Sequence, residues 1–230
     1  MSVETVAGLF LLAMPISFNV AFGLLAARFD YPDILRRPDA EVLSRFSAGG
    51  TGLVLLWWGF ALTAVLFAPL VVLLSQAIAD ADPALLAVTT TVGVLAAIVQ
   101  FLGLIRWPFL VPYLARVTAD PQATAAQKEA AGVVFQSFNR YLGVGVGEHL
   151  GYALTGAWSI LAGAALTDTS AVPGWLGIPG IVAGASLLVC SLEFVGPHEP
   201  TGWKLAERLT PIAYVVWSLW LFAAGVALVA

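Results

Sequence analysis

Residues 143–166 read GVGVGEHLGYALTGAWSILAGAAL, an apolar run with one carboxylate, Glu148, and a neighbouring histidine, His149. Between Arg140 and Asp168 no other side chain carries a formal charge. A helix that crosses a bilayer needs roughly 20 mostly apolar residues, and this run supplies them. Five further stretches qualify, so six spans are expected, at about 3–27, 51–78, 84–105 (with an extension to 117), 131–166, 175–195 and 209–229. In hydrocarbon every peptide group must find its partner within the protein, so runs this long are read as helices. The fold class is therefore all-α, a single domain of six transmembrane helices. Composition agrees: 60% of the 230 residues are hydrophobic and 10% are charged, against about 25% charged in soluble domains, and the mean hydropathy is +0.92.

Charge orients the bundle. Arg28, Arg36, Arg37 and Arg45 lie in or beside the first connection. Arg106, Arg116, Lys128 and Arg140 surround the third, and Lys204 and Arg208 the fifth. The second and fourth connections hold only Asp80, Asp82 and Asp168. Positive charge marks the cytoplasmic side, so both termini are expected outside and the basic loops inside. That basic face suits the anionic headgroups of the lipid bilayer, and no motif in it points to nucleic acid. The first span lacks a basic n-region and is too long for a cleavable signal peptide. The lone cysteine, Cys190, excludes an internal disulfide and a thiolate zinc site.

The polar loops carry their own expectations. In DYPDILRRPDAEVLSRF (30–46), Asp39 reads as the N-cap of a short amphipathic helix with Val42, Leu43 and Phe46 on one face, lying in the membrane interface. From Gln122 to Leu166 a continuous helix would be about 65 Å long, twice the hydrocarbon core. Pro108 and Pro112 should bend the third helix near its inner end. Asn19, four residues after Pro15, reads as a polar residue tied to a helix kink.

The chemistry sits at membrane depth. An ionisable side chain there costs about 2.5–3.5 kcal/mol on insertion scales, so it faces the bundle interior and finds a partner. At about 100° per residue, Ser137, Tyr141, Tyr152, Thr155 and Ser159 fall within about 40° of Glu148, forming one polar stripe. The topology puts Arg106, Glu193, Glu148 and His149 at similar depth, so Arg106 is expected to pair with Glu148, Glu193 or both. The candidate ligand-binding or intramembrane polar cluster is Arg106, Glu148, His149, Tyr152, Glu193, Asn139 and Arg140. Gly143, Gly147 and Gly151 form a ridge that permits close approach of another helix, including one from a second copy or a membrane partner.

Three readings stay open: an ion pair that locks the bundle, an inward-facing cavity for a small molecule or a proton, and an interface with another subunit. Two histidines cannot build the boxes of di-iron oxidases or ligate two haems. No lysine lies deep in a helix, and no phosphate loop or nucleophile elbow is present. Glu193, His198 and Glu199 (in LEFVGPHEPTGW) read as a turn rather than a metal site. No cofactor, metal or catalytic residue is assigned, and an intramembrane enzyme ranks behind a binding or permeation protein and an accessory subunit.

RFDYPDILR (28–36), LIRWPFLVPYLA (104–115), FNRYLGVGVGEHLGYALTGAW (138–158) and LE (192–193) together carry a resemblance. The chain resembles a bacterial family of six-helix integral membrane proteins catalogued as a domain of unknown function, number 4386. The likeness covers nearly the whole chain. It implies six spans and a multi-pass protein of the bacterial cytoplasmic membrane, and it brings no substrate or catalytic residue; the Ala, Gly and Val usage suggests a high-GC organism.

Overall fold

A computed structural model describes residues 1–230, and the chain is all helix. The elements are α1 (Val3–Phe29), α2 (Asp39–Ala77), α3 (Pro83–Phe109), α4 (Val111–Ala119), α5 (Ala125–Phe138), a π-helical segment (Asn139–Leu150), α6 (Gly151–Asp168), α7 (Gly177–Cys190) and α8 (Lys204–Val229). Five helical rods are long and apolar enough to cross a membrane, and Gly174–Cys190 is a shorter apolar helix. That shorter helix has 17 residues from its 3₁₀ start, the lower limit for a span. Exposed leucines, isoleucines and valines such as Leu95, Ile98, Ile178, Val182, Ile212 and Leu219 cover the outside of the bundle, the surface that lipid would wet.

The rods form a closed ring. Each packs on its neighbours in sequence, and α8 closes on α1. Glycines set the seams. Built Cβ atoms at Gly8 and Gly225 would each meet the other's carbonyl oxygen, at 2.8 and 2.9 Å. Gly156 meets Gly184, and Gly163 meets Gly177, across α6 and α7 in the same way. Close backbone approach of this kind substitutes for the hydrophobic drive that lipid cannot provide.

Two apolar clusters fill the ring. One lies toward the acidic end, where the termini and the connections around Asp80 and Thr169 sit; it contains Phe67, Trp158, Trp217 and Trp220. The other lies toward the basic end and contains Phe29, Trp57, Trp107 and Phe135. There the rings of Trp57 and Trp107 stack at 4.3 Å. At the acidic end Asp80 clamps the two connections together. Its carboxylate accepts from Thr169 Oγ1 (2.5 Å), Ser170 N–H (2.7 Å) and Ser170 Oγ (2.8 Å). Those bonds hold its pKa down at about 2.

Several local expectations change. Pro38, not Asp39, occupies the cap position of α2, and it offers no side-chain cap. Asp39 is instead bonded by the Gln136 amide. The amphipathic start of α2 does bury Val42, Leu43 and Phe46, in one cluster with Leu114 and Ala115 of α4 and Ala131 and Phe135 of α5. It joins the spanning part of α2 through Gly50, whose φ of 55° breaks the helix. The long rod starts at Ala125, after a Thr124–Gln127 capping box, and α8 starts at Lys204, so it contains the expected span from 209. The α7 helix ends at Cys190, five residues short of expectation. A turn follows, closed by the Trp203 N–H donating to the Glu193 carbonyl at 2.7 Å, and Gly196 adopts φ 62°. Asn19 donates to the Pro15 carbonyl (2.7 Å) and to Ser218 Oγ (3.0 Å), so it ties α1 to α8.

Candidate ligand cavity

The π segment positions the site. It holds twelve residues in the wide i→i+5 turn, where most proteins use a single such turn, often at functional sites. A wider turn advances each residue by less than 100°, so the stripe counted at α-helical phase does not persist through it. Tyr141 is exposed on the surface, while Thr155 and Ser159 are fully buried.

A cavity of about 290 Å³ lies between this segment, the start of α6 and the turn after α7. Glu148, His149 and Tyr152 line one side, and Cys190, Ser191, Glu193 and Phe194 the other. Its rim includes Val195 and Gly196, which are exposed at the basic end. The Ser191 carbonyl, an obligate acceptor, lies 2.8 Å from His149 Nδ1, so the ring proton resides on Nδ1 and a neutral ring keeps Nε2 as an acceptor. Glu193 is 9% exposed and sits 3.6 Å from Arg36, which also holds Glu207 at 2.5 Å. Glu148 is half-buried. Its carboxylate accepts no hydrogen bond from the chain, and the charges that act on it do so from a distance: Arg106, Glu193 and Arg36.

Arg106 does not pair with either glutamate. Its guanidinium donates to the Gly103 carbonyl and to Asn139 Oδ1 at 2.9 Å, and it lies 5.3 Å from the Trp107 ring centre. Gly143 makes this placement possible, because a Cβ there would stand 2.5 Å from Arg106 Nη2. The backbone carbonyl and the Asn139 amide thus take the role expected of a carboxylate. Asn139 therefore supports Arg106 rather than lining the cavity, and Arg140 turns to the surface, where it pairs with Glu199.

The glycine ridge has an internal partner. A Cβ at Gly103 would stand 2.5 Å from the Gly147 Cα, and one at Gly151 would stand 3.1 Å from Gln100 Cγ. Gly143, Gly147 and Gly151 therefore pack against α3 of the same chain. Association with another subunit through that ridge would require α3 to leave it.

Reading the sequence along one helix missed the far wall. Ser191 and Phe194 belong to the turn that follows α7, and the only signal for them was Glu193 at a matching depth. Tyr31 and Tyr214 were also missed. They lie in the aromatic layer next to the cavity: Tyr214 is 5.4 Å from the Tyr152 ring, and Tyr31 is 5.0 Å from Trp57. Aromatic residues spread over a loop and two helices leave no periodic trace.

No curated protein and no solved structure matches the chain. The sequence pattern described as "Domain of unknown function (DUF4386)" matches residues 6–225, which takes in every helix of the ring and the whole cavity. On that match the chain belongs to the DUF4386 family.

Proposed function

We propose that the protein is a multi-pass protein of the bacterial cytoplasmic membrane that binds a small molecule in the cavity beside Glu148. In this reading both termini face outside, the basic connections face the cytoplasm, and the cavity opens inward. One observation carries it: a carboxylate on a helical rod long and apolar enough to cross a membrane, lining a 290 Å³ cavity, with no hydrogen bond or ion pair from the chain. An unpaired ionisable group in hydrocarbon is costly, and a cavity lined by few polar groups is the usual form of a ligand site. A structural ion pair would instead bring Arg106 onto Glu148. Toward the acidic end Phe67, Trp158 and Trp217 pack together with ring centres 4.8 and 5.7 Å apart. Binding therefore describes this conformation better than an open path, and permeation would need that layer to part.

Native mass spectrometry of the protein released from nanodiscs tests the proposal. A stoichiometric small-molecule adduct is expected, lost in Glu148→Gln with the fold intact. A clean apo mass under conditions that retain lipid would remove the reading. Cysteine labelling at residues 82 and 202 from either side of the membrane tests the orientation, with 202 expected to be cytoplasmic.

A further inference from the structure

We infer that the ligand of this cavity is a small organic cation with N–H donors, an ammonium or amidinium compound, held by Glu148. This rests on the cavity being a binding site and names the chemistry that fits it. Three features of the wall converge. The first is its hydrogen-bonding balance. The Ser191 hydroxyl already donates to the Leu188 carbonyl at 2.7 Å, and His149 Nδ1 donates to Ser191. The peptide N–H groups of Glu193 and Val195 donate to Cys190 and Leu192. What faces the space is the Glu148 carboxylate, the remaining lone pairs of Ser191, the free imidazole nitrogen and the Glu193 carboxylate, against two peptide N–H groups without a partner, those of Phe194 and Gly196 at the rim. Acceptors are thus in excess, with the Tyr152 hydroxyl as a polar group that can serve either way. A ligand that brings donors completes this wall, whereas one that brings acceptors leaves it unsatisfied.

The second feature is charge. Two carboxylates line the cavity, and no lysine or arginine does. Arg36 holds Glu193 from outside. Arg106 acts on Glu148 through space but directs its bonds to Gly103 and Asn139. Glu148 therefore has a compensating field but no donor, and a cationic N–H supplies the charge-assisted bond it lacks. The third feature is the aromatic wall of Tyr152 and Phe194, whose π faces attract a cation in a desolvated site. The volume, at the lower edge of the roughly 300–1,000 Å³ of ligand pockets, limits the ligand to a compact molecule.

Isothermal titration calorimetry on the full chain in nanodiscs tests this with three probes of one shape: cyclohexylammonium, cyclohexanecarboxylate and cyclohexanol, at pH 7. Saturable binding is expected for the ammonium alone, weakened about tenfold or more by Glu148→Gln. Gly145→Leu is a second variant that keeps every charge. Gly145 lines the cavity, and a Cβ there meets only the Arg140 carbonyl oxygen, at 3.6 Å, so the leucine fills the space and should abolish binding. Equal or tighter binding of the carboxylate would overturn the cation class and leave the cavity as a binding site. Ammonium binding that persists in Gly145→Leu, or failure of all three probes to bind, would overturn the inference. In that last case the mass spectrometry adduct decides separately whether the cavity binds anything.

Discussion

The two ends of the helix ring solve the same problem in different ways. Toward the acidic end, polar side chains close on one another or on the backbone. Trp217 Nε1 donates to Ser159 Oγ (2.8 Å), which donates to the Thr155 carbonyl (2.7 Å), and Gln100 donates to Thr155 Oγ1 (2.8 Å). Trp220 donates to the Leu176 carbonyl, and Trp158 Nε1 is the exception, without a partner. Toward the basic end, Arg106 Nε, Trp57 Nε1 and Trp107 Nε1 have no partner, and Glu148 faces an open space. Glycine seams occur at both ends, Gly163 on Gly177 between α6 and α7 and Gly147 on Gly103 beside the cavity, but only at the basic end does a glycine, Gly143, also make room for a guanidinium. Where hydrocarbon offers no substitute for a missing hydrogen bond, an end with unfilled polar groups is the end prepared for something else.

Substitutions can break that contrast. The largest effect is expected for Gly177→Ala, whose Cβ would stand 2.2 Å from the Gly163 carbonyl oxygen. A backbone clash cannot relax as a side chain does, so the loss should reach the upper part of the roughly 1–3 kcal/mol range for overpacking, or exceed it. Thermal unfolding in detergent would show it as a lower midpoint. Gly103→Ala should come next and should also damage ligand binding, since it pushes α3 off Gly147 beside the cavity. If both alanines left the midpoint unchanged, the seams would not be what holds the ring.

Asn139→Ala sharpens the comparison. It removes one acceptor from a buried guanidinium and should cost about 1–3 kcal/mol, with Arg106 left beside Gly143. Glu148→Gln should behave in the opposite sense, keeping or raising the melting midpoint while abolishing the adduct, because it removes an ionisable group that nothing in the chain satisfies. Arg36→Ala breaks an exposed pair with Glu207, worth no more than about 1 kcal/mol, and leaves the nearly buried Glu193 without its arginine, so it should cost more than the exposed pair alone.

The smallest effect separates the ends by pH. Asp80, held at about 2 against an ordinary 3.8, favours the folded connection whenever it is ionised. That contribution is complete above about pH 4 and disappears as the pH falls through 2. Hydrogen exchange at residues 169–171 should rise over that window in the wild type. Asp80→Asn should remove the dependence.

Much of this architecture was legible because hydrocarbon imposes a length. Six runs of some twenty apolar residues could hardly be anything but six helices, and the alternation of basic and acidic connections placed neighbours antiparallel. The ends of helices were less legible. Pro38 displaced Asp39 from the cap, and a turn closed on Glu193 shortened α7. At the site, depth was enough to group Glu148, His149 and Glu193, and the count of the polar stripe added Tyr152. Depth could not decide what Arg106 would choose, because the competing acceptors were a backbone carbonyl and a neutral amide, which formal charge does not reveal. Nor could α-helical phase survive the twelve residues of π-helix.

The closure of α8 on α1 has a consequence for biogenesis. Gly8 and Gly225, which touch in the finished ring, leave the ribosome about 200 residues apart, a delay of roughly 10–40 s at ordinary synthesis rates. During that time α1 can dock on α2, but its other flank has no permanent neighbour. The ring is an open arc until its last helix arrives, although every residue that lines the chamber beside Glu148 has been made by then. A cell depleted of membrane insertases should therefore accumulate this protein as a protease-sensitive arc, cleaved near the first connection, before it loses the later hairpins.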